Sequence, residues 1–168
     1  MNAGCYGDQI SDKLIDCTII DERLKKKILK KSEIDFCYRK SSFDNKHVII
    51  EARFKIQKDN KFRIKKKISI ISDKRKKSQP VASRTGGSTF KNSSSYPAWK
   101  LIDEIDYRGK KLGGAKVSAL HSNFLINYNN ATSLDLEILG EEIKNKVWEK
   151  KKINLKWELI RIGEFKKV

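Results

Sequence analysis

Long apolar runs are missing from this sequence, and so is the layout of an export signal. No apolar stretch approaches the ~20 residues that a helix needs to cross a bilayer, so we expect no membrane partner. The N-terminus lacks the basic and then apolar order of a signal peptide, which predicts a cytoplasmic protein. Repeats and low-complexity tracts are also missing.

Cysteine is scarce and oddly numbered. Cys5, Cys17 and Cys37 include no C-x-x-C pair, and three thiols cannot all pair within one chain. This argues against a disulfide framework and against a zinc site. We therefore expect reduced thiols and no bound metal.

Acidic residues are few beside the basic ones. There are 21 Asp and Glu against 38 Lys and Arg, for a formal net charge of +17. Such a field attracts phosphates, either of nucleic acid or of a nucleotide ligand. General over-use of lysine explains most of the charge equally well, because the lysines are spread over nearly every polar face without interleaved aromatic residues. We expect no nucleic-acid partner; a nucleic-acid-binding protein, the alternative, would bind with a steep dependence on salt.

The first half of the chain reads as strands followed by one helix. The pattern predicts a strand over 13–20 and leaves 21–30 open between a lysine-rich helix and a second strand. Alternation over 47–56 predicts a half-buried strand. Isoleucines at helical spacing over 61–77 predict an amphipathic helix that stops near Pro80, and the change in composition after Pro80 predicts a domain boundary.

The second half mixes helices and strands, which predicts an α+β fold. A short helix over 97–105 should bury Trp99, Ile102 and Ile105, and strands are expected over 115–118 and 123–127. Thr132 or Ser133 should cap a longer helix, and 153–162 should form a closing strand. Three residues are expected to pack in the core instead of serving as stacking platforms: Trp99, Trp148 and Trp157. His121, at a strand start, is expected to be structural.

The segment Arg84–Asn92 combines the residues most suited to chemistry. Gly86 and Gly87 let the backbone turn sharply and approach a ligand, and Ser88, Lys91 and Asn92 follow within a few residues. That order suits a site that holds an anionic substrate against a proton donor. Glycine-serine loops are also common linkers, so both interpretations stay open on local grounds.

A series of short motifs resembles the C-terminal part of the UDP-N-acetylenolpyruvoylglucosamine reductase family, and their joint order covers nearly the whole chain. The motifs are Tyr38-Arg39-Lys40-Ser41-Ser42-Phe43, Gln79-Pro80, Gly87-Ser88-Thr89-Phe90-Lys91-Asn92, Leu101-Ile102-Asp103, Gly113-Gly114-Ala115-Lys116-Val117-Ser118, His121-Ser122-Asn123-Phe124 and Trp157-Glu158 leading to Ile162-Gly163. The opening Met1-Asn2-Ala3-Gly4-Cys5-Tyr6-Gly7 is similar to the end of the family's glycine-rich, flavin-contacting loop.

The resemblance implies an oxidoreductase of peptidoglycan synthesis, with a part in cell-wall biogenesis, cell shape and cell division. The family's flavoproteins use FAD and NADPH to reduce UDP-N-acetylglucosamine enolpyruvate to UDP-N-acetylmuramate. Negative charge builds on the substrate carboxylate during this reaction, so the site needs a cation at the carboxylate and a proton donor over the neighbouring carbon.

The resemblance also assigns residues. Ser88 is implied as the proton donor, Arg39 as the cation that steadies the developing charge, and Glu158 as the third member of the catalytic set. Lys91 and Asn92 are implied as substrate-binding residues. The residues implied to contact the flavin are Asn2, Ala3, Gly4 and Tyr38.

Compared with the family, this chain is expected to lack the N-terminal part of the flavin-binding region. The resemblance makes 1–78 the end of an α+β FAD-binding domain and 79–168 a small α+β substrate-binding domain with its closing strand. The chain is then a truncated reductase. The alternative within the family is an inactive or split remnant that needs a separately encoded N-terminal half as its partner.

Overall fold

The computed structural model describes residues 1–44, 46–93 and 95–163. The chain divides into two units, Met1–Asn60 and Lys61–Val168. Both contain helices and strands, which confirms the α+β class. The predicted boundary between 78 and 79 stays a prediction, and the last five residues of the predicted second domain lie outside the described residues.

The first unit is built around a three-stranded antiparallel sheet. Its elements are β1 (Gly4–Cys5), β2 (Asp8–Gln9), α1 (Ile10–Lys13), β3 (Leu14–Ile20), β4 (Lys26–Lys30), a 3-10 turn (Lys31–Glu33), β5 (Phe36–Cys37), β6 (Lys40–Ser41) and β7 (Val48–Phe54). β1 and β2 form a hairpin, β5 and β6 form another, and the sheet has the order β4-β3-β7. Of the segment left open over 21–30, the second half is strand β4, paired with β3 from Asp16–Lys30 to Ile20–Lys26, and 21–25 form the turn before it.

The central strand β3 owes its place to its composition. Cys17 and Ile19 are buried at 2% and 1% exposure beside Leu14 and Ile34. Asp16 is also buried, and Arg53 of β7 pairs with its carboxylate, with Nε donating over 2.7 Å. The hydrogen bond from Arg53 lowers the pKa of Asp16. A buried charge is tolerated here because it is paired.

Strand β7 corrects one expectation. The alternation over 47–56 predicted a half-buried strand, but all seven residues of β7 are exposed, Val48 at 59% and Ile50 at 49%. β7 pairs with β3 through its backbone, yet neither of its faces is covered within the first unit.

The second unit combines three helices with a four-stranded antiparallel sheet, and the last two of these helices contribute to its core. Its elements are α2 (Lys61–Ser78), β8 (Arg84–Ser88), α3 (Ala98–Asp103), β9 (Lys111–Leu112), β10 (Ala115–Val117), β11 (Phe124–Asn127) and α4 (Ser133–Lys151). The sheet order is β8-β11-β10-β9. The main buried cluster includes Leu101 and Ile102 of α3, Val117 of β10, and Leu139, Ile143 and Val147 of α4.

The helices follow their sequence signals. α2 ends at Ser78, just before Gln79-Pro80, although no residue of α2 is buried and Ile64, Ile68 and Ile71 are exposed. α4 begins after Thr132, whose hydroxyl accepts a hydrogen bond from the Asp135 amide over 3.0 Å. Asp135 in turn accepts from the Thr132 amide, so the two residues form a capping box.

Two expectations about the second unit are wrong. Trp99 and Trp148 are exposed at 41% and 52%, so only Trp157 packs against the core. No strand forms over 153–162 in the described residues: one isolated bridge joins Trp157 to Phe90. Strand β8 ends at Ser88, before this bridge, and the segment is joined to the residues that follow β8 by a few backbone hydrogen bonds in place of a ladder.

Among the described residues, no helix is both long enough and apolar enough to cross a membrane.

The core of the second unit gives a stability prediction. Replacing Ile143, which is fully buried, with alanine should lower the free energy of unfolding by about 2 to 5 kcal/mol, because a cavity is left in a packed core. Ile138→Ala on the same helix is the matched control, since Ile138 is 45% exposed. Urea unfolding followed by circular dichroism measures both, and equal losses would contradict this core assignment.

Candidate active site

Gly86 and Gly87, expected to form a sharp turn, instead lie within strand β8, opposite an irregularity in its pairing with β11, and Ser88 is the last residue of that strand. Gly87 has φ +95°, a left-handed conformation that glycine adopts without strain. A Cβ at Gly86 would lie 3.0 Å from Leu159, so the segment after α4 passes close to this backbone. Ser88 is opposite Phe124 in the pairing of β8 with β11, and its side chain is half-buried.

Asn123 fixes the backbone that follows Ser88. This side chain is 97% buried, at 3% exposure; its amide donates to the Phe90 carbonyl over 2.8 Å, and its carbonyl accepts from the Phe90 amide over 3.0 Å. The Asn123 backbone carbonyl accepts from the Thr89 amide over 2.8 Å. One residue therefore satisfies three backbone groups in the stretch directly after the candidate proton donor.

The segment after α4 closes the other side of the same backbone. The Glu158 amide donates to the Thr89 carbonyl over 2.8 Å, and the Lys91 amide donates to the Lys156 carbonyl over 2.8 Å. Glu158 is half-buried. The structure therefore places Thr89, the residue after Ser88, against Glu158, next to the bridge between Phe90 and Trp157, although Ser88 and Glu158 are 70 positions apart in sequence.

The two predicted substrate residues continue from this bridge. Lys91 is half-buried, and Asn92 is exposed. The side-chain carbonyl of Asn92 accepts from the Ala98 amide over 2.9 Å at the start of α3. Asn92 therefore ties the loop to α3, and its amide nitrogen is the group suited to donate to a ligand.

Arg39 lies in the first unit, beside the predicted flavin residues. It has φ +54°, its Nη2 donates to the Gly4 carbonyl over 3.2 Å, and its guanidinium lies 4.9 Å from the centre of the Tyr38 ring. The structure thus groups Arg39 with Gly4 and Tyr38 in one unit, and Ser88 with Glu158 in the other.

The predicted flavin residues share one hairpin and its neighbour. The Asn2 side chain is buried, where it donates to Gln9 over 2.9 Å and accepts from the Ser11 amide over 3.0 Å. Asn2 therefore shapes the hairpin from inside. Ala3 and the Tyr38 ring are exposed, and a Cβ at Gly4 would lie 2.8 Å from the Asp8 carbonyl.

His121 behaves as a structural residue. Its Nδ1 accepts from the Asn123 amide over 3.3 Å, and its ring packs on Phe124 with centroids 4.8 Å apart. Burial, with the charge of Arg108, lowers the pKa of His121. A neutral ring suits that packing.

Three residues make contacts that support the candidate site, although the sequence analysis assigned them no role. Asn123 stood inside a quoted motif, but nothing local shows that its side chain pairs with Phe90. Gly140 and Glu141 of α4 contact Trp157, and the only available signal was a glycine inside a helix of otherwise good helix formers.

The comparisons with known proteins agree with this architecture. Residues 79–162 match the family model described as UDP-N-acetylenolpyruvoylglucosamine reductase, C-terminal domain. The enzyme of that name from Sphingopyxis alaskensis is 42% identical over 164 residues, which are 98% of this chain and 55% of the relative. Its counterpart from Novosphingobium aromaticivorans is 41% identical over 163 residues, covering 97% and 55%.

A solved structure agrees as well. The crystal structure of UDP-N-acetylenolpyruvylglucosamine reductase from Thermus caldophilus superimposes with a TM-score of 0.79 at 28% identity, over 94% of this chain and 56% of that one. The fold and the family model together define an α+β protein that contains the C-terminal domain of a reductase. The chain belongs to the UDP-N-acetylenolpyruvoylglucosamine reductase family. It spans about 55% of the length of the curated relatives that it matches.

The Asn123 contacts give a prediction. Asn123→Ala should lower the free energy of unfolding by about 2 kcal/mol or more, because the buried amide and carbonyl of Phe90 lose their partners. Asn145→Ala, an exposed position on α4, is the control. Chemical denaturation measures both. A loss of stability in Asn123→Ala no larger than that in Asn145→Ala would contradict the role of Asn123 in holding the Phe90 backbone.

Proposed function

We propose that this chain carries the substrate-reducing part of a UDP-N-acetylenolpyruvoylglucosamine reductase. The reaction would reduce the enolpyruvyl ether of UDP-N-acetylglucosamine enolpyruvate to UDP-N-acetylmuramate for peptidoglycan synthesis, and so serve cell-wall biogenesis, cell shape and division. The observation that carries the proposal is the bridge that joins the backbone beside Ser88 to that of Glu158. Family membership supports the choice of reaction.

The reaction adds a hydride to one alkene carbon and a proton to its neighbour. FAD, when bound, supplies the hydride and is itself reduced by NADPH. Ser88 holds the proton on its hydroxyl and donates it to the substrate carbon. A serine hydroxyl is a weak acid, so its neighbours must help it to release the proton. We propose that Glu158 and the half-buried position of Ser88 orient the hydroxyl for this transfer.

Arg39 would stabilise the negative charge that develops on the substrate carboxylate. A guanidinium stays charged and can bind a carboxylate through two parallel hydrogen bonds. The positive φ of Arg39 and its bond to the Gly4 carbonyl hold the side chain in a defined place in the first unit. A preorganised donor stabilises developing charge more than a mobile one.

Lys91 and Asn92 would hold the nucleotide-sugar substrate. Both follow directly on the hydrogen-bonded backbone of Thr89 and Phe90, and the Asn92 side chain accepts a hydrogen bond from the Ala98 amide. A lysine ammonium and an amide nitrogen are donors suited to phosphate and sugar oxygens.

The first unit would hold one side of FAD. The residues proposed for this are Asn2, Ala3, Gly4 and Tyr38. Ala3 and Tyr38 would face the cofactor from exposed positions, while Asn2 would act by keeping the hairpin closed.

A separately made N-terminal half is the proposed partner. The curated relatives are almost twice the length that this chain matches. Val48, Ile50 and Phe54 on β7 are exposed apolar residues of the kind that a partner would cover. The proposal includes the cytoplasm as the site of action, because NADPH and nucleotide sugars are available there.

Charge favours one rival function. The net charge of +17 would also suit nucleic-acid binding, and basic residues crowd α2. That rival predicts an affinity for DNA that falls steeply with salt, whereas a nucleotide-sugar site should prefer UDP derivatives. Competition between labelled DNA and UDP-N-acetylglucosamine at two salt concentrations separates the two functions.

The first functional prediction concerns assembly. The test mixes this chain with the N-terminal region of the Sphingopyxis alaskensis relative, and we call the mixture the reconstituted assembly. We expect it to bind FAD and to consume NADPH continuously only when the enolpyruvyl substrate is present, because without substrate NADPH reduces the bound flavin once. The chain alone should hold flavin weakly. Flavin absorbance after gel filtration and the consumption of NADPH, followed by its absorbance, measure these properties. A yellow, active chain without the added half would contradict the partner proposal.

The second functional prediction concerns the proton donor. In the reconstituted assembly, Ser88→Ala should slow flavin oxidation by the enolpyruvyl substrate about 10²-fold or more, because proton transfer is lost. Flavin reduction by NADPH should keep its rate, since that step needs no proton from Ser88. Stopped-flow absorbance separates the two half-reactions.

Ser83→Ala is the matched control, because Ser83 is exposed shortly before β8. Ser88→Cys restores a group that can donate a proton and should recover part of the rate. Equal rates for Ser88→Ala and Ser83→Ala would remove Ser88 from the catalytic set.

A further inference from the structure

The segment that carries Glu158 is held by few backbone contacts. It leaves α4 through Lys152, which has φ +59°, and it forms no strand within the described residues. Its backbone bonds to this stretch are few: the Thr89 carbonyl accepts from the amides of Glu158 and Leu159, and the Lys91 amide donates to the Lys156 carbonyl. Such a segment needs side-chain anchors if Glu158 is to stay in place.

Trp157, the neighbour of Glu158, is the main anchor. The indole ring lies against Gly140 of α4, where any Cβ would overlap the ring. Its other side packs on Phe90, with ring centroids 4.9 Å apart. Glycine inside a helix lowers stability by about 1 kcal/mol relative to alanine. The space left by the missing Cβ at Gly140, which we call the slot, is filled by the indole ring, and that packing offsets the loss.

Glu141 fixes the orientation of that ring. The indole Nε1 donates to Glu141 Oε1 over 2.7 Å. Arg161 lies over the same ring at 5.0 Å from its centre and reaches Glu141 Oε1 at 3.3 Å. Lys144 donates to the second carboxylate oxygen over 3.0 Å. One carboxylate thus joins the helix to both Trp157 and Arg161, on either side of Glu158 in sequence.

The charge of Glu141 is maintained by these contacts. Burial raises the pKa of Glu141, but hydrogen bonds from Lys144 and Trp157 and the charges of Lys144 and Arg161 outweigh it, so the pKa lies below its ordinary value. Glu141 is therefore ionised at neutral pH and can bind the indole N–H and Arg161 together.

We propose that Glu141 is a positioning residue of the reductase, which acts through Trp157 to hold Glu158 beside Ser88. This role rests on the proposed function. The contacts of the indole with Gly140 and Glu141 fix residue 157 against α4, and the next amide, that of Glu158, donates to the Thr89 carbonyl. Loss of the indole contacts would therefore leave the Glu158 backbone less restrained beside Thr89. Small displacements of a positioned group are costly: a shift near 1 Å can lower a rate about 10²-fold.

The first test reads the anchor without any chemistry. In a background with Trp99→Phe and Trp148→Phe, both at exposed positions, Trp157 is the remaining tryptophan. Glu141→Ala should shift its emission to the red and increase quenching by acrylamide, whereas Glu141→Gln should keep the indole bond. Glu149→Ala, an exposed position on the same helix, is the control. The indole N–H signal in NMR of the chain with all three tryptophans gives the same comparison without the background substitutions.

The second test reads the consequence for the reaction. In the reconstituted assembly, Glu141→Ala should slow flavin oxidation by the enolpyruvyl substrate about 10-fold or more, with flavin reduction by NADPH unchanged. Glu141→Gln should recover most of that rate, because it still accepts from the indole N–H.

The outcomes separate the two proposals. If the unmodified assembly oxidises its flavin with substrate and Glu141→Ala does so equally fast, the positioning role is wrong. A loss of both half-reactions in Glu141→Ala would also overturn it, because general damage explains that result. If the unmodified assembly fails to react with the substrate, the proposed function is wrong, and the role of Glu141 in it falls as well.

Discussion

The candidate site depends on the backbone of Thr89 and Phe90, which is held from both sides. Asn123 pairs with it from the β11 side, and the segment after α4 pairs with it from the other. Ser88 precedes this stretch and Lys91 follows it. Buried backbone groups must find partners, so the stretch can take its place only when both neighbours are present. The geometry around Ser88 is therefore a product of the whole second unit.

The segment after α4 shows how side chains replace a missing ladder. It has only a few backbone hydrogen bonds to Thr89 and Lys91 among the described residues, yet it carries the candidate residue Glu158. Trp157 fills a slot that only glycine at 140 leaves open, and Glu141 receives the indole N–H. A helix thereby orients a segment of irregular backbone. Functional groups on such segments are common, provided that a rigid element supports them.

The two units differ in how well they are closed. The second has a continuous core from α3 and β10 to α4. The first has a small cluster around Cys17 and Ile19, while β7 is exposed along its whole length. The chain spans about 55% of the length of the curated relatives that it matches.

The sequence by itself determined the α+β class, most elements and the family, because periodicity, caps and turn residues are local signals. It indicated α4 with its Thr132 cap and the end of α2 near Pro80, and its motif order singled out Ser88, Arg39 and Glu158. Only the tertiary structure decided the strand at Lys26–Lys30, the exposure of β7 and of Trp99, and the irregular path of 153–162. Each of these depends on which partner is within reach. The roles of Asn123, Gly140 and Glu141 could not be predicted for the same reason, because each depends on contacts with residues distant in sequence.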